Sequence, residues 1–189
     1  MCFCLLDADY QDKEIHLFGV NEKGESVLVI DEYEPYMYVL AKKKKNVVEK
    51  LKKSRLVRKI NESKRRLGLE EEEFLQVFVD LPQNLPKVRD LIKRNEDVVN
   101  VFEYTIPFYK RYLIDKKLYP FDWIEVEGEE TQDREGYDHV IKAKNIEMTK
   151  SRKVPPLKIL AFDTEVVDKE IIMISVVSGG FRKVLTYKK

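Results

Sequence analysis

Between Tyr36 and Tyr104 the spacing of apolar residues switches repeatedly between period two and period 3.6, and this alternation constrains the fold more than any other feature of the chain. Tyr36–Leu40 reads as a short strand. Asn46–Lys53 then places Val47, Val48 and Leu51 at helical spacing, Leu56–Ile60 is strand-like, and Phe74–Asp80 alternates as a strand. Asn84 is expected to cap a helix running to about Arg94, with Val88, Leu91 and Ile92 on one face, before a last strand over Val98–Tyr104. Ahead of this block, Cys2–Ala8, Glu14–Val20 and Val27–Ile30 read as antiparallel strands joined by polar turns, the second holding Gly24.

The order β-α-β-β-α-β predicts an α+β fold with a ferredoxin-like core, in which helices cover one face of an antiparallel sheet. RNA-recognition motifs share this order, but Phe74–Asp80 lacks their glycine-aromatic signature. Tyr36, Tyr38, Phe74 and Phe78 are therefore assigned to the core rather than to a base-stacking platform. Trp123–Glu127 and Val140–Met148 are expected to pair as a hairpin across an acidic loop, and Pro155-Pro156 punctuates the chain stiffly. A division into 1–155 and 156–189 follows. In the second unit the apolar run Leu157–Phe162 ends in Asp163-Thr164-Glu165, followed by strands over Ile171–Val177 and Arg182–Tyr187.

The 189 residues, 43% of them apolar, can bury a real core, and the 37% charged share nearly cancels to +1. The charges are segregated nonetheless. Lys42–Arg66 carries thirteen Lys or Arg against Glu49 and Glu62, whereas Asp122–Asp138 carries eight acids against Arg134. The basic stretch is either a phosphate-binding surface or a solvated helix face. Cys2 and Cys4 are too close along one extended strand to form a disulfide, and with His16 and His139 they cannot assemble a zinc site. Met1–Leu6 is too short for a signal peptide and no apolar run reaches membrane length, so a cytoplasmic protein without membrane contact is expected.

Asp163 and Glu165, two apart on a strand, present both carboxylates to the same side, as a hard divalent cation requires. A pair of such ions about 4 Å apart stabilises the attacking and leaving oxygens of phosphodiester hydrolysis. Alone, Asp-x-Glu is more often a surface pair; here an apolar strand leads into it and another follows. Leu157-Lys-Ile-Leu-Ala-Phe-Asp163-Thr-Glu165 with Ile171-Ile-Met-Ile-Ser175 resembles the first exonuclease motif of archaeal family B DNA polymerases, with Thr164 where Ile is common. Val101-Phe-Glu-Tyr-Thr-Ile-Pro-Phe-Tyr-Lys-Arg-Tyr-Leu-Ile-Asp115 is similar to the same family residue after residue. Leu6-Asp-Ala-Asp-Tyr10, Glu34-Pro-Tyr-Met-Tyr38 and Leu81-Pro-Gln-Asn-Leu-Pro86 follow its order and approximate spacing.

The resemblance implies an N-terminal, template-binding unit that captures uracil from single-stranded DNA ahead of a polymerase site, running into the first strands of a ribonuclease-H-like 3′-5′ exonuclease. By motif, the uracil pocket falls on Tyr10, Pro35, Tyr36, Leu85, Ile106, Pro107, Phe108 and Arg111, with Leu85 where the family often has Val. Asp163 and Glu165 become ligands for Mg²⁺ or Mn²⁺ in a site completed by later residues. No palm aspartates or further exonuclease carboxylates occur before Lys189, so the chain alone is expected to be inactive, with the remaining polymerase domains or chain as partner. Two other readings stay open: a single-stranded nucleic-acid-binding protein that does not read uracil, and a nuclease completed by another chain.

Overall fold

The computed structural model describes residues 1–131, 136–151 and 153–187, so Arg134 of the acidic stretch lies outside the described residues. The fold is α+β with mostly antiparallel sheets. Strands β1 (Cys2–Gln11), β2 (Glu14–Val20) and β3 (Ser26–Glu32) form a meander. Next comes a unit of β4 (Tyr36–Ala41), α1 (Lys44–Lys52), β5 (Val57–Leu67), β6 (Glu70–Val79), α2 (Leu85–Ile92) and β7 (Val98–Phe102). Helix α3 (Phe108–Lys116) leads back to β8 (Trp123–Glu130) and β9 (His139–Met148), and β10 (Ala161–Val167), β11 (Glu170–Ser178) and β12 (Phe181–Thr186) complete the order.

The first three strands do not stand alone. They close with β8 and β9 into a barrel in the order β1-β2-β3-β9-β8, joined by a parallel β3–β9 seam running from Val27 opposite His139 to Ile30 opposite Lys142. Phe3, Leu5, Ile15, Leu17, Val29, Ile124 and Ile141 fill its interior. Two glycines permit the closure. A Cβ on Gly19 would stand 2.2 Å from the Cys4 carbonyl oxygen, and one on Gly128 would stand 2.1 Å from the Lys142 carbonyl oxygen. Gly128 falls at a register shift in β8–β9, where the strand bends.

Between β3 and β8 the chain builds a four-stranded sheet, β5-β6-β4-β7. One face is covered by α1 and α2, which bury Val47, Leu51, Val88 and Ile92 against Met37, Val39, Leu75 and Val77. The other carries Tyr36, Tyr38, Phe74 and Phe78, all buried, with Lys59 over Phe78 and Arg65 over Tyr38. These aromatics are core, as the sequence implies.

Several boundaries differ from expectation. Asn84 makes no capping bond, because Pro82–Asn84 forms a 3-10 turn and α2 starts behind it with helical backbone already at Asn84. Strand β5 runs on to Leu67, with Lys64, Arg65 and Arg66 opposite Glu73, Glu72 and Glu71 of β6. Helix α3 was hidden behind its lead-in Ile106-Pro107 and low amphipathicity. Strand β8 runs past Glu127 to Glu130, so Glu129 and Glu130 belong to the strand rather than to the acidic loop. Residues 157–160 are not strand, so Asp163 and Glu165 lie within β10 and not at its end. Both cysteines are free, Cys4 buried. Among the described residues no helix is long and apolar enough to cross a membrane.

Candidate nucleic-acid interface

Helix α3 is wedged between barrel and sheet. Phe108 and Tyr112 enter the barrel core, while Arg111 turns towards the sheet with its guanidinium carbon 5.5 Å from the centre of the Tyr36 ring. Pro107 begins the helix in extended geometry and fixes its entry. Tyr10, at the end of β1 and 38% exposed, meets Phe108 edge-on at 5.4 Å, and Tyr33 lies 5.8 Å from the same ring.

A polar cluster closes this aromatic group. The hydroxyls of Tyr33 and Tyr36 both donate to Asp115 Oδ2, and Arg111 Nη2 donates to Asp115 Oδ1 at 2.7 Å. Arg111 also pairs with Glu103, while its buried Nε has no partner among the described residues. Burial first, and the Asp115 carboxylate second, push both phenols well above the usual tyrosine range. Burial pulls Arg111 down, but Tyr36, Asp115 and Glu103 outweigh it and hold the guanidinium charged.

Pro35 is buried, and its carbonyl accepts the Val79 N–H at 2.9 Å. Backbone groups alternate sides along a strand, so the N–H and C=O of Tyr36 point the other way, towards β7. Pairing between β4 and β7 begins only at Tyr38 opposite Phe102. Beyond Phe102 the chain turns off at Glu103, whose φ is 63°. One donor and one acceptor of Tyr36 therefore face the gap where β7 stops, beside the loop that carries Ile106 and Pro107.

Of the eight residues singled out from the sequence, Tyr10 meets Phe108 and Arg111 meets Tyr36, two pairs brought together by α3, and Pro35, Ile106 and Pro107 adjoin them in the chain. Leu85 is buried at the start of α2 and packs within the helix-covered core of the sheet. Tyr33 and Asp115 escaped the sequence reading. Asp115 stands four residues after Arg111, an ion-pair spacing that becomes visible once α3 is recognised as a helix.

The side chains of Asp163 and Glu165 are exposed, on one face of β10, opposite Ser175 and Met173. Two carboxylates suit a hard cation but supply only part of its oxygen shell. Among the described residues no group of three or more His, Cys, Asp or Glu is placed to hold a metal ion.

Residues 99–189 match the family model described as DNA polymerase family B, exonuclease domain. The chain is 32% identical over 204 residues to a DNA polymerase of Pyrococcus glycovorans and 33% identical over 206 residues to one of Thermococcus gorgonarius, alignments that take in 98% and 97% of it. It spans 22% of the length of each. The fold superposes on the family B DNA polymerase of the hyperthermophilic archaeon Pyrobaculum calidifontis with a TM-score of 0.87 at 27% identity, covering 100% of this chain and 27% of that one.

Proposed function

Because the chain belongs with the archaeal family B DNA polymerases, corresponding to their N-terminal region and the start of their exonuclease domain, we propose that it is the template-reading part of a DNA-directed DNA polymerase. Residues 1–155 bind single-stranded template and sense uracil; residues 156–189 open a ribonuclease-H-like exonuclease. Within the first unit the sheet order β7-β4-β6-β5 with both helices on one face supports the ferredoxin-like reading.

The observation that carries uracil sensing is the open backbone pair of Tyr36. A donor and an acceptor side by side match the N3–H and a neighbouring carbonyl of uracil, with Phe108, Tyr10 and two φ-locked prolines, Pro35 and Pro107, as rigid walls. Excluding thymine's methyl through an apolar wall is worth about 1–3 kcal/mol, and the lost backbone pairing adds to it. Phosphates are drawn by α1 and the turn into β5, where Lys45, Lys50, Lys52, Lys53 and Arg55 make no ion pair among the described residues.

Asp163 and Glu165 are the residues that would hold Mg²⁺ or Mn²⁺, which activates water for phosphodiester cleavage once further carboxylates complete the shell. The free edges of β10 and β12 are where the rest of the exonuclease sheet, in the same or another chain, would pair.

Fluorescence anisotropy with uracil- and thymine-containing oligonucleotides at two salt concentrations tests the reading. Preference for uracil is expected in the wild type and its loss in Phe108→Ala, with salt-dependent general binding kept. Equal affinity for both bases in the wild type would reduce the chain to a nucleic-acid binder without uracil reading. Metal-dependent degradation by the chain alone would make it a nuclease.

A further inference from the structure

On the side of the sheet away from β4, the outer edge of β7 and helix α2 enclose a recess of about 310 Å³, lined by Arg89, Lys93, Val99, Asn100 and Tyr104 among others. Among the described residues strand β7 pairs only with β4, so alternate backbone groups of β7 are open on this side, and Val99 is 53% exposed. The guanidinium of Arg89 lies 4.6 Å from the centre of the Tyr104 ring. Asp90 Oδ1 accepts from Arg89 Nε at 2.9 Å and from Nη2 at 2.6 Å, and the same oxygen holds Lys93 Nζ at 2.9 Å. Arg89 is thus a fixed plane backed by an aromatic ring, and two cations against one carboxylate leave the site positive.

A guanidinium plane held in this way is a surface on which an unpaired nucleobase stacks, while a neighbouring ammonium takes its phosphate. We infer that this recess seats a second base of single-stranded template, stacked on Arg89, with Lys93 on the adjoining phosphate. It deepens the template reading and rests on it. The two sites adjoin along the chain: Tyr104, which backs Arg89, lies two residues before Ile106. A strand held at both points has a second anchor beside the base being inspected.

The test uses the full chain and an oligothymidine carrying one 2-aminopurine at successive positions, whose fluorescence falls when the base stacks. Quenching beyond that of the free strand is expected at one position. Arg89→Ala should abolish it and weaken binding about tenfold, and Arg89→Lys, which keeps the charge but not the plane, should not restore it. Lys93→Ala should lower the salt dependence by about one counterion and leave the quenching in place. Uracil preference should be unchanged in all three variants, so its absence would count against the pocket at Tyr36 and not against this recess. Wild-type binding by Arg89→Ala, or full rescue by Arg89→Lys, would overturn the inference and leave the open β7 edge as a surface for pairing with polypeptide. Failure of the wild type to bind any oligonucleotide would overturn both readings.

Discussion

Asp115 gathers Tyr33 from the link after β3, Tyr36 from β4 and Arg111 from its own helix, with its own side chain 23% exposed. Replacing it by Asn keeps the shape but removes the charge that balances Arg111. Asp115→Asn is expected to lower stability by roughly 1–3 kcal/mol in urea unfolding and to weaken uracil preference, because Tyr36 is held less firmly. The same contacts set an alkaline limit. Tyr33, Tyr36 and Tyr112 all have raised pKa values, burial being the largest cause, so the folded protein keeps these protons above about pH 10, where the unfolded chain releases them. Stability should be intact below that pH and fall as pH rises through it. Denaturant midpoints between about pH 8 and 11 should show this, with a shallower fall in Tyr36→Phe. The Pro-Tyr and Ile-Pro-Phe segments were legible because their residue types are distinctive, whereas Asp115 was one acid among many until α3 gave it a neighbour.

At the level of elements, the strands could be read because alternation marks them, but barrel closure could not. Closure depends on partners far apart in sequence and on glycines that alternation does not register. Gly19→Ala and Gly128→Ala should each lower the thermal midpoint, with a loss of stability greater than the roughly 1–3 kcal/mol of ordinary overpacking, since the obstructing atoms are backbone carbonyls. One end of the β3–β9 seam is held by a charged clasp. His139 Nδ1 lies 2.7 Å from Glu130 and Nε2 lies 3.2 Å from Glu25, while Ser26 N–H and Oγ both donate to Asp138. Bonds to Glu130 and then Glu25 raise the His139 pKa, so the clasp is complete below about pH 6.5 and weakens as pH rises through the elevated value. Hydrogen exchange of the Val27–Ile30 amides should quicken from pH 6 to 8 beyond the intrinsic rate change. His139→Gln should remove that excess.

At the scale of the whole molecule, β10–β12 is the sheet that nothing covers among the described residues. Phe162, Thr164, Ile174, Val176 and Leu185 share one face by register, and Phe162 is 69% exposed. An uncovered apolar face of this kind binds hydrophobic dyes and associates. The 189-residue chain should therefore bind such a dye, and Phe162→Ser should reduce the signal without changing DNA affinity. Titration calorimetry should find only weak Mg²⁺ binding, lost in Asp163→Ala, because two carboxylates leave most of the ion's shell to water.

The path of the chain through the barrel also imposes an order of assembly. Three barrel strands are made first and two last, and the four-stranded sheet with its helices is inserted between them. The partners Val27 and His139 are separated by the whole inserted unit as well as α3 and β8, so the seam cannot form until these have left the ribosome and the unit has drawn its own ends together. Once folded, the sheet shortens the loop that closure must span, and α3 delivers Phe108 and Tyr112 as the plug around which β8 and β9 wrap. Pulse-labelled exchange during refolding should protect amides of β4 and β6 before those of β3 and β9. The four-stranded sheet is thus built ahead of the barrel that braces it, and a nascent chain halted after α3 would already carry Tyr36, Phe108 and Arg111.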